Sequence, residues 1–215
     1  MLRRALCGFS VIAIAAPPQP GLEASGTVGT GSYQGGGCDT PKTAYRETTF
    51  AAKVRYRDAE TGATGALDAS VATGSPSSGS GGPDRAWTVA ARGGGHFAYG
   101  GFELGLGGVR TGRALGGSGN SLVIPSGLLW LGVPEIHAFG TFAADRVAVG
   151  TPDFTVGLGH SSRYLDLHAG LGLQGWSLDT ELRLFEHVAP MLSLRTREND
   201  EWNLAVGAAF HFDKL

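Results

Sequence analysis

Residues Trp202 to Phe212 (WNLAVGAAFHF) put an apolar side chain at every second position: Trp202, Leu204, Val206, Ala208, Phe210 and Phe212. Asn203, Ala205, Gly207, Ala209 and His211 alternate with them. Successive side chains of a strand point to opposite faces, so a period of two predicts a strand with one bulky apolar face and one small or polar face. The pattern recurs along the chain, and no helical period appears after the first 26 residues. Two folds accept such strands. One is a soluble β core with its polar faces in water; the other is a transmembrane barrel with lipid outside and a tight lumen inside.

Composition narrows the choice. The chain holds 36 glycines among 215 residues, and 17% of its residues are charged. Ordinary domains carry about 7% glycine and about 25% charge. Abundant glycine with few charges fits short strands, tight turns and crowded backbones better than helices. A formal net charge of −2 gives no electrostatic basis for binding nucleic acid. No run approaches the roughly 20 apolar residues of a spanning helix, which leaves strands as the only candidates for crossing a membrane.

The start of the chain predicts a secretory signal in residues 1–26, with the remaining residues, 27–215, forming one β-barrel domain. Arg3 and Arg4 make a basic start, and Ala5 to Ala16 (ALCGFSVIAIAA) is an apolar stretch of suitable length. Small residues near Ala24 or Gly26 suit cleavage. Cys38 is then the single thiol of the mature chain, so no internal disulfide is expected.

Alternation predicts strands at 47–57, 63–73, 85–93, 97–110, 122–133, 135–143, 154–161, 164–173, 176–185, 188–197 and 202–212, and the poorly patterned 27–34 is added as a first strand because an even-numbered barrel needs a twelfth. The stretch 122–133 is apolar without clean alternation, and Pro125 marks a frayed start. Gly94-Gly95-His96 is read as a turn and 144–153 as a loop. Connections then alternate between long (35–46, 74–84, 111–121, 144–153) and short (58–62, 94–96, 132–134, 162–163, 186–187), although the Gln174-Gly175 turn and 198–201 on the long side are brief. Long loops at one end and tight turns at the other are the habit of bacterial outer-membrane barrels, whose strand number is even.

Charge placement favours the barrel. Fourteen charges fall on the polar parity: Glu47, Lys53, Arg55, Arg57, Asp68, Arg92, Glu103, Glu135, Asp166, Asp179, Glu181, Arg183, Arg195 and Arg197. Arg110, at a strand end, is the one charge read on the apolar parity. A basic residue facing mid-bilayer costs about 2–4 kcal/mol, so a lipid face should look like this. The fourteen divide evenly in sign, and the polar parity is rich in Gly, Ala and Ser, as a narrow lumen of paired charges requires. For one hairpin a turn centred on Val188 would set Glu181 opposite Arg195 and Asp179 opposite Arg197.

With its signal, its alternating strands and its terminal Phe210-x-Phe212, the chain resembles the bacterial outer-membrane β-barrel class. Asp213-Lys214-Leu215 run on past that aromatic end. The resemblance implies an antiparallel up-and-down transmembrane β-barrel of about twelve strands, with ten or eight as alternatives. It also implies outer-membrane lipid as surroundings and recognition of the last strand by the barrel assembly machinery. The lumen ion pairs are expected among Lys53, Arg55, Asp166, Asp179, Glu181, Arg183, Arg195 and Arg197. A structural or interaction role, or a narrow pore, is the expected function.

Two other readings compete. His160-x-Ser162 resembles the His-x-Ser arrangement of outer-membrane lipid A deacylases, which would make a lipid hydrolase with serine as nucleophile and histidine as base. A soluble periplasmic or secreted β-protein acting as a binding module would share the alternation. Asp166 and His168 share a face with Asp179 and Glu181, where a hydrogen-bonded network is expected in preference to a metal site. Gly93–Gly95 and Gly116–Gly119 lack the Lys-Ser/Thr and the following helix of a phosphate loop. No cofactor, metal or nucleic acid is expected.

Overall fold

The structure, a computed structural model, describes residues 20–35, 43–77, 84–110, 121–148, 151–172, 175–185, 187–196 and 202–212. It contains twelve strands: β1 (Gly21–Gly35), β2 (Thr43–Arg57), β3 (Ala63–Pro76), β4 (Asp84–Phe97), β5 (Gly100–Arg110), β6 (Ser121–Val133), β7 (Ile136–Ala148), β8 (Thr151–Ser161), β9 (Leu165–Gly172), β10 (Gly175–Leu182), β11 (Val188–Thr196) and β12 (Trp202–Phe212). Each pairs antiparallel with its sequence neighbours, and β1 closes on β12 from Leu22↔Phe212 to Ser32↔Trp202. The closed antiparallel barrel of twelve strands is therefore as expected. No helix among the described residues is long and apolar enough to cross a membrane, which does not bear on crossing by strands.

The two parities separate as the charges predict. Leu106, Val123 and Leu171 are 61%, 69% and 69% exposed on the outer wall. Glu103 and Asp166, on the inner parity, are both 0% exposed. Along the outer wall an aliphatic belt (Val54, Leu67, Val89, Leu104, Leu158, Leu204) lies between two sets of exposed aromatics. Tyr56, Phe97, Tyr99, Tyr164 and Phe212 ring the short-turn end; Trp87, Phe154, Trp176 and Trp202 ring the other. From Trp202 to Phe212 the strand spans about 25 Å of barrel height, at about 3.4 Å per residue and a tilt near 40°. That matches the apolar band of a spanning barrel.

Several boundaries differ from the sequence reading, each for a physical reason. β1 begins at Gly21, and Leu22 to Gly26 pair with both β2 and β12, so the barrel takes in residues assigned above to the signal. Gly94, Gly95 and His96 are not a turn: the two glycines stay in the ladders with β3 and β5, His96 stays in that with β5, and Ala98-Tyr99 turns instead. Without a Cβ these glycines satisfy a sheet as readily as a turn, which makes the motif ambiguous. The expected loop 144–153 is largely strand, because β7 runs to Ala148 and β8 starts at Thr151, with a register shift between Ala143 and Ala148. Long connections therefore mark only the first three hairpins of that end. β6 lacks alternation because its inner positions Ile124, Leu128 and Trp130 are apolar too, filling the lumen.

The prolines sit where one ladder is absent. The β6–β7 pairing starts at Gly127, beyond Pro125, and the β10–β11 pairing stops at Met191, before Pro190. A residue with no N–H is tolerated at such places. Among outer charges, Arg110 is joined by Arg46 and Arg85, which the sequence reading did not place there. Glu135, expected on the lumen face, lies exposed in the β6–β7 turn.

Candidate functional site

The inner wall is the candidate site, and its packing begins with small residues on two adjacent strands. On β3 and β4, Ala66 and Gly94 occupy inner positions beside Arg55 and Glu103 in register, leaving room for long side chains to cross. Arg55 of β2 thus reaches Glu103 of β5, Nη2 to Oε1 at 3.2 Å, with side-chain exposures of 2% and 0%. Arg92 of β4 donates to Asp68 at 2.5 Å and to Ser126 Oγ at 3.3 Å, and its Nε lies 3.5 Å from the second Glu103 oxygen. Glu103 therefore serves two guanidiniums. Lys53 is buried and opposes Asp68 in the β2–β3 ladder. Buried charges are tolerable here because each faces an opposite charge.

A second ionic group spans the other side. Arg183, just past β10, bonds Asp166 of β9, and its Nε is 3.2 Å from Glu181 Oε1. His211 Nε2 of β12 meets the same Glu181 oxygen at 2.7 Å. Nearby, Ser193 donates to Asp179 at 2.5 Å, and Arg195 Nη2 lies 3.8 Å from that carboxylate.

The hairpin register proposed above is wrong by four residues. Ser177 opposes Arg195, Asp179 opposes Ser193, and Glu181 opposes Met191. The chain leaves the ladder at Leu182 and makes a wider connection through residues 183–187, so no turn is centred on Val188. Asp179 still finds Arg195, but diagonally, and Glu181 is taken by Arg183 and His211. Arg197 lies outside the described residues, as do Cys7 and Cys38.

Between the ionic groups the lumen is apolar and aromatic. Leu128, Trp130 and Phe139 form one cluster, with His96 stacked on Trp130 at 5.8 Å. Ala189, Met191, Ala205 and Ala209 form another. Beside Phe139 two histidines meet, His137 Nε2 to His168 Nε2 at 3.0 Å. They flank Gly159, which pairs with His137 on one side and His168 on the other. A Cβ at Gly159 would fall 2.2 Å from His137 Nε2 and 2.4 Å from His168 Cδ2, so the contact exists only because that residue is glycine. His137 Nδ1 lies 3.2 Å from the Pro134 carbonyl, which can only accept. In the neutral rings His137 therefore carries its proton on Nδ1, and His168 donates from Nε2. Sequence reasoning missed this pair. The available signal was the spacing of the two histidines about a central strand with glycine at the facing position.

His160 and Ser162 do not form a catalytic pair. His160 is exposed, and its Nδ1 bonds the Glu135 carbonyl at 2.6 Å. The Ser162 hydroxyl donates to the Leu165 carbonyl at 3.0 Å and accepts from the Leu165 N–H at 3.2 Å, closing the β8–β9 turn. Among the described residues no group of three or more His, Cys, Asp or Glu is placed to hold a metal.

No known protein-family profile matches the chain, and no curated protein matches it. Solved structures do share the fold. The translocator domain of the autotransporter NalP from Neisseria meningitidis superposes with a TM-score of 0.59 at 13% identity, covering 91% of this chain and 90% of that one. A Rh. blastica porin mutant (TM-score 0.37, 8% identity, 89% of this chain and 100% of that) and Pseudomonas putida OprB (0.36, 11%, 89% and 91%) align more loosely. The architecture is that of the outer-membrane β-barrel class, with no single family indicated.

Proposed function

We propose that the chain is a bacterial outer-membrane β-barrel whose lumen is a packed core, so that its role is structural or interaction-based and is carried by its outer wall and loops. The observation that supports this reading is the ionic chord from Arg55 to Glu103 and Arg92, crossing from β2 to β5 with both charges of the Arg55–Glu103 pair buried. A barrel of about this size is narrow, and side chains of this length leave little bore. The exposed aliphatic belt between aromatic rims supports lipid as the surroundings. A leader would end before Gly21, since Leu22 onward is paired on both sides. Engagement of β12 by the assembly machinery is part of the same reading.

Membrane fractionation with gel electrophoresis tests the location: the protein should require detergent and migrate faster unheated than heated. Planar-bilayer recording tests the lumen. A packed core gives no steady current, whereas ohmic conductance would favour the narrow-pore alternative.

A further inference from the structure

We propose that His137 and His168 form a two-histidine clip for a borderline divalent transition ion of the Zn²⁺, Ni²⁺ and Cu²⁺ class, held inside the barrel toward its short-turn end. The inference goes beyond the role proposed above and needs only the closed wall, not the lipid around it.

The first support is the separation of the two nitrogens. His137 Nε2 and His168 Nε2 are 3.0 Å apart, and both side chains are 1% exposed. Imidazole nitrogens bind such ions at about 2.0–2.1 Å, so two of them on neighbouring positions of one ion stand about 2.8–3.4 Å apart. The observed spacing suits a chelate without movement of β7 or β9. Gly159, between them on β8, keeps the space open, since a Cβ there would also lie 2.5 Å from His137 Cε1.

The second support is the proton placement each ring allows. His137 Nδ1 lies 3.2 Å from the Pro134 carbonyl, which fixes its proton there and leaves the Nε2 lone pair facing inward. A ligating histidine is typically oriented in this way, by an acceptor on its far nitrogen. The His168 Nδ1 is buried and has no hydrogen-bond partner, so nothing on the far side of that ring holds its proton on Nε2. Moving the proton to Nδ1 keeps the ring neutral and presents a second lone pair to the ion. No net proton is gained or lost.

The surroundings accept a cation. Arg183 is met by Asp166 and Glu181, and Arg55 by Glu103, so neither guanidinium stands unopposed in the lumen. Phe139 stands edge-on to His168 at 5.8 Å and walls the pair on one side. Imidazole favours transition ions over Mg²⁺, which takes oxygen ligands. With two protein ligands and water for the rest, the clip is weaker than a closed site of four.

The test uses the full chain without an affinity tag, with Cys7 and Cys38 replaced by serine, refolded into detergent micelles. Equilibrium dialysis against Zn²⁺, Ni²⁺ or Cu²⁺ should leave one ion per barrel, with Mg²⁺ not competing. Pulsed electron paramagnetic resonance of the Cu²⁺ form should show two imidazole ligands. The urea midpoint should rise with the ion present, because the ion binds the folded wall alone. His137→Gln and His168→Gln should each lose the retained ion and the shift, while His160→Gln, at an exposed position, keeps both. Heat-modifiable migration checks that each variant closes; where one does not, the Cu²⁺ spectrum of the wild-type barrel decides. No retained ion in the closed wild-type barrel, a spectrum without two imidazoles, or retention unchanged in closed His137→Gln and His168→Gln overturns the proposal.

Discussion

At the scale of single residues, the lumen depends on charges that have no water to fall back on. Glu103 is wholly buried and answers both Arg55 and Arg92. Glu103→Ala should destabilise the barrel by about 3–5 kcal/mol, because the buried Arg55 guanidinium loses the carboxylate it meets at 3.2 Å. Replacing Arg55 and Glu103 together by Met should cost less than the single change. Urea titration of refolding into detergent or vesicles measures both, and a double variant worse than the single one would refute the account. Gly159 is the other sensitive position. Gly159→Ala forces His137 and His168 apart and should cost about 1–3 kcal/mol by overpacking. The shared imidazole N–H signal should vanish in nitrogen-detected NMR while the barrel persists.

At the scale of elements, the informative hairpin is β10–β11. Its register sets Thr180 opposite Leu192, whereas a turn centred on Val188 would set it opposite Thr196. In a background with Cys7 and Cys38 replaced, Thr180→Cys/Leu192→Cys should cross-link on oxidation and Thr180→Cys/Thr196→Cys should not. The reverse result would restore the tighter turn. The β2–β3 turn carries a pH signature. Asp58 accepts from the Thr61 and Glu60 N–H groups at 2.7 and 3.1 Å and from the Thr61 hydroxyl at 2.8 Å. These donors, the Thr61 amide foremost, hold its carboxyl below the usual value of 3.8. A depressed carboxylate stabilises the turn above the unfolded value, and that contribution fades as pH falls through the folded one. Carboxyl-carbon NMR titration should place Asp58 below a free aspartate, and Thr61→Val should bring it part of the way back.

At the scale of the whole molecule, separation of the two faces was legible from the alternation of apolar residues and from where the charges fell, whereas the first strand that closes on β12 was reached only from the need for an even count. The twelve-strand count was reached although the first strand was read as beginning six residues late. Strand ends were less legible. Gly94-Gly95 has the same letters in a ladder as in a turn, and residues 144–148 continue β7 without clean alternation. The candidate site was half legible. Lys53, Arg55, Asp166, Asp179, Glu181, Arg183 and Arg195 do turn inward or bond within the lumen, whereas the two cross-strand pairings assigned in the β10–β11 hairpin, Glu181 with Arg195 and Asp179 with Arg197, were out of register. Truncating the inner apolar cluster offers a check at this scale. Trp130→Ala should lower stability by about 3–5 kcal/mol, and it should raise bilayer conductance if the packed interior is what blocks the lumen.

The period of two determined that this chain is a sheet with an oily side and an ionic side, because side-chain direction along a strand is local geometry. Which cation meets which carboxylate was decided only by closure. Arg55 and Glu103 lie 48 residues apart in sequence and three strands apart on the wall, and they touch because a narrow barrel folds that wall across itself. The meeting of His137 and His168 across Gly159 was decided in the same way, by strands brought side by side and a missing Cβ between them.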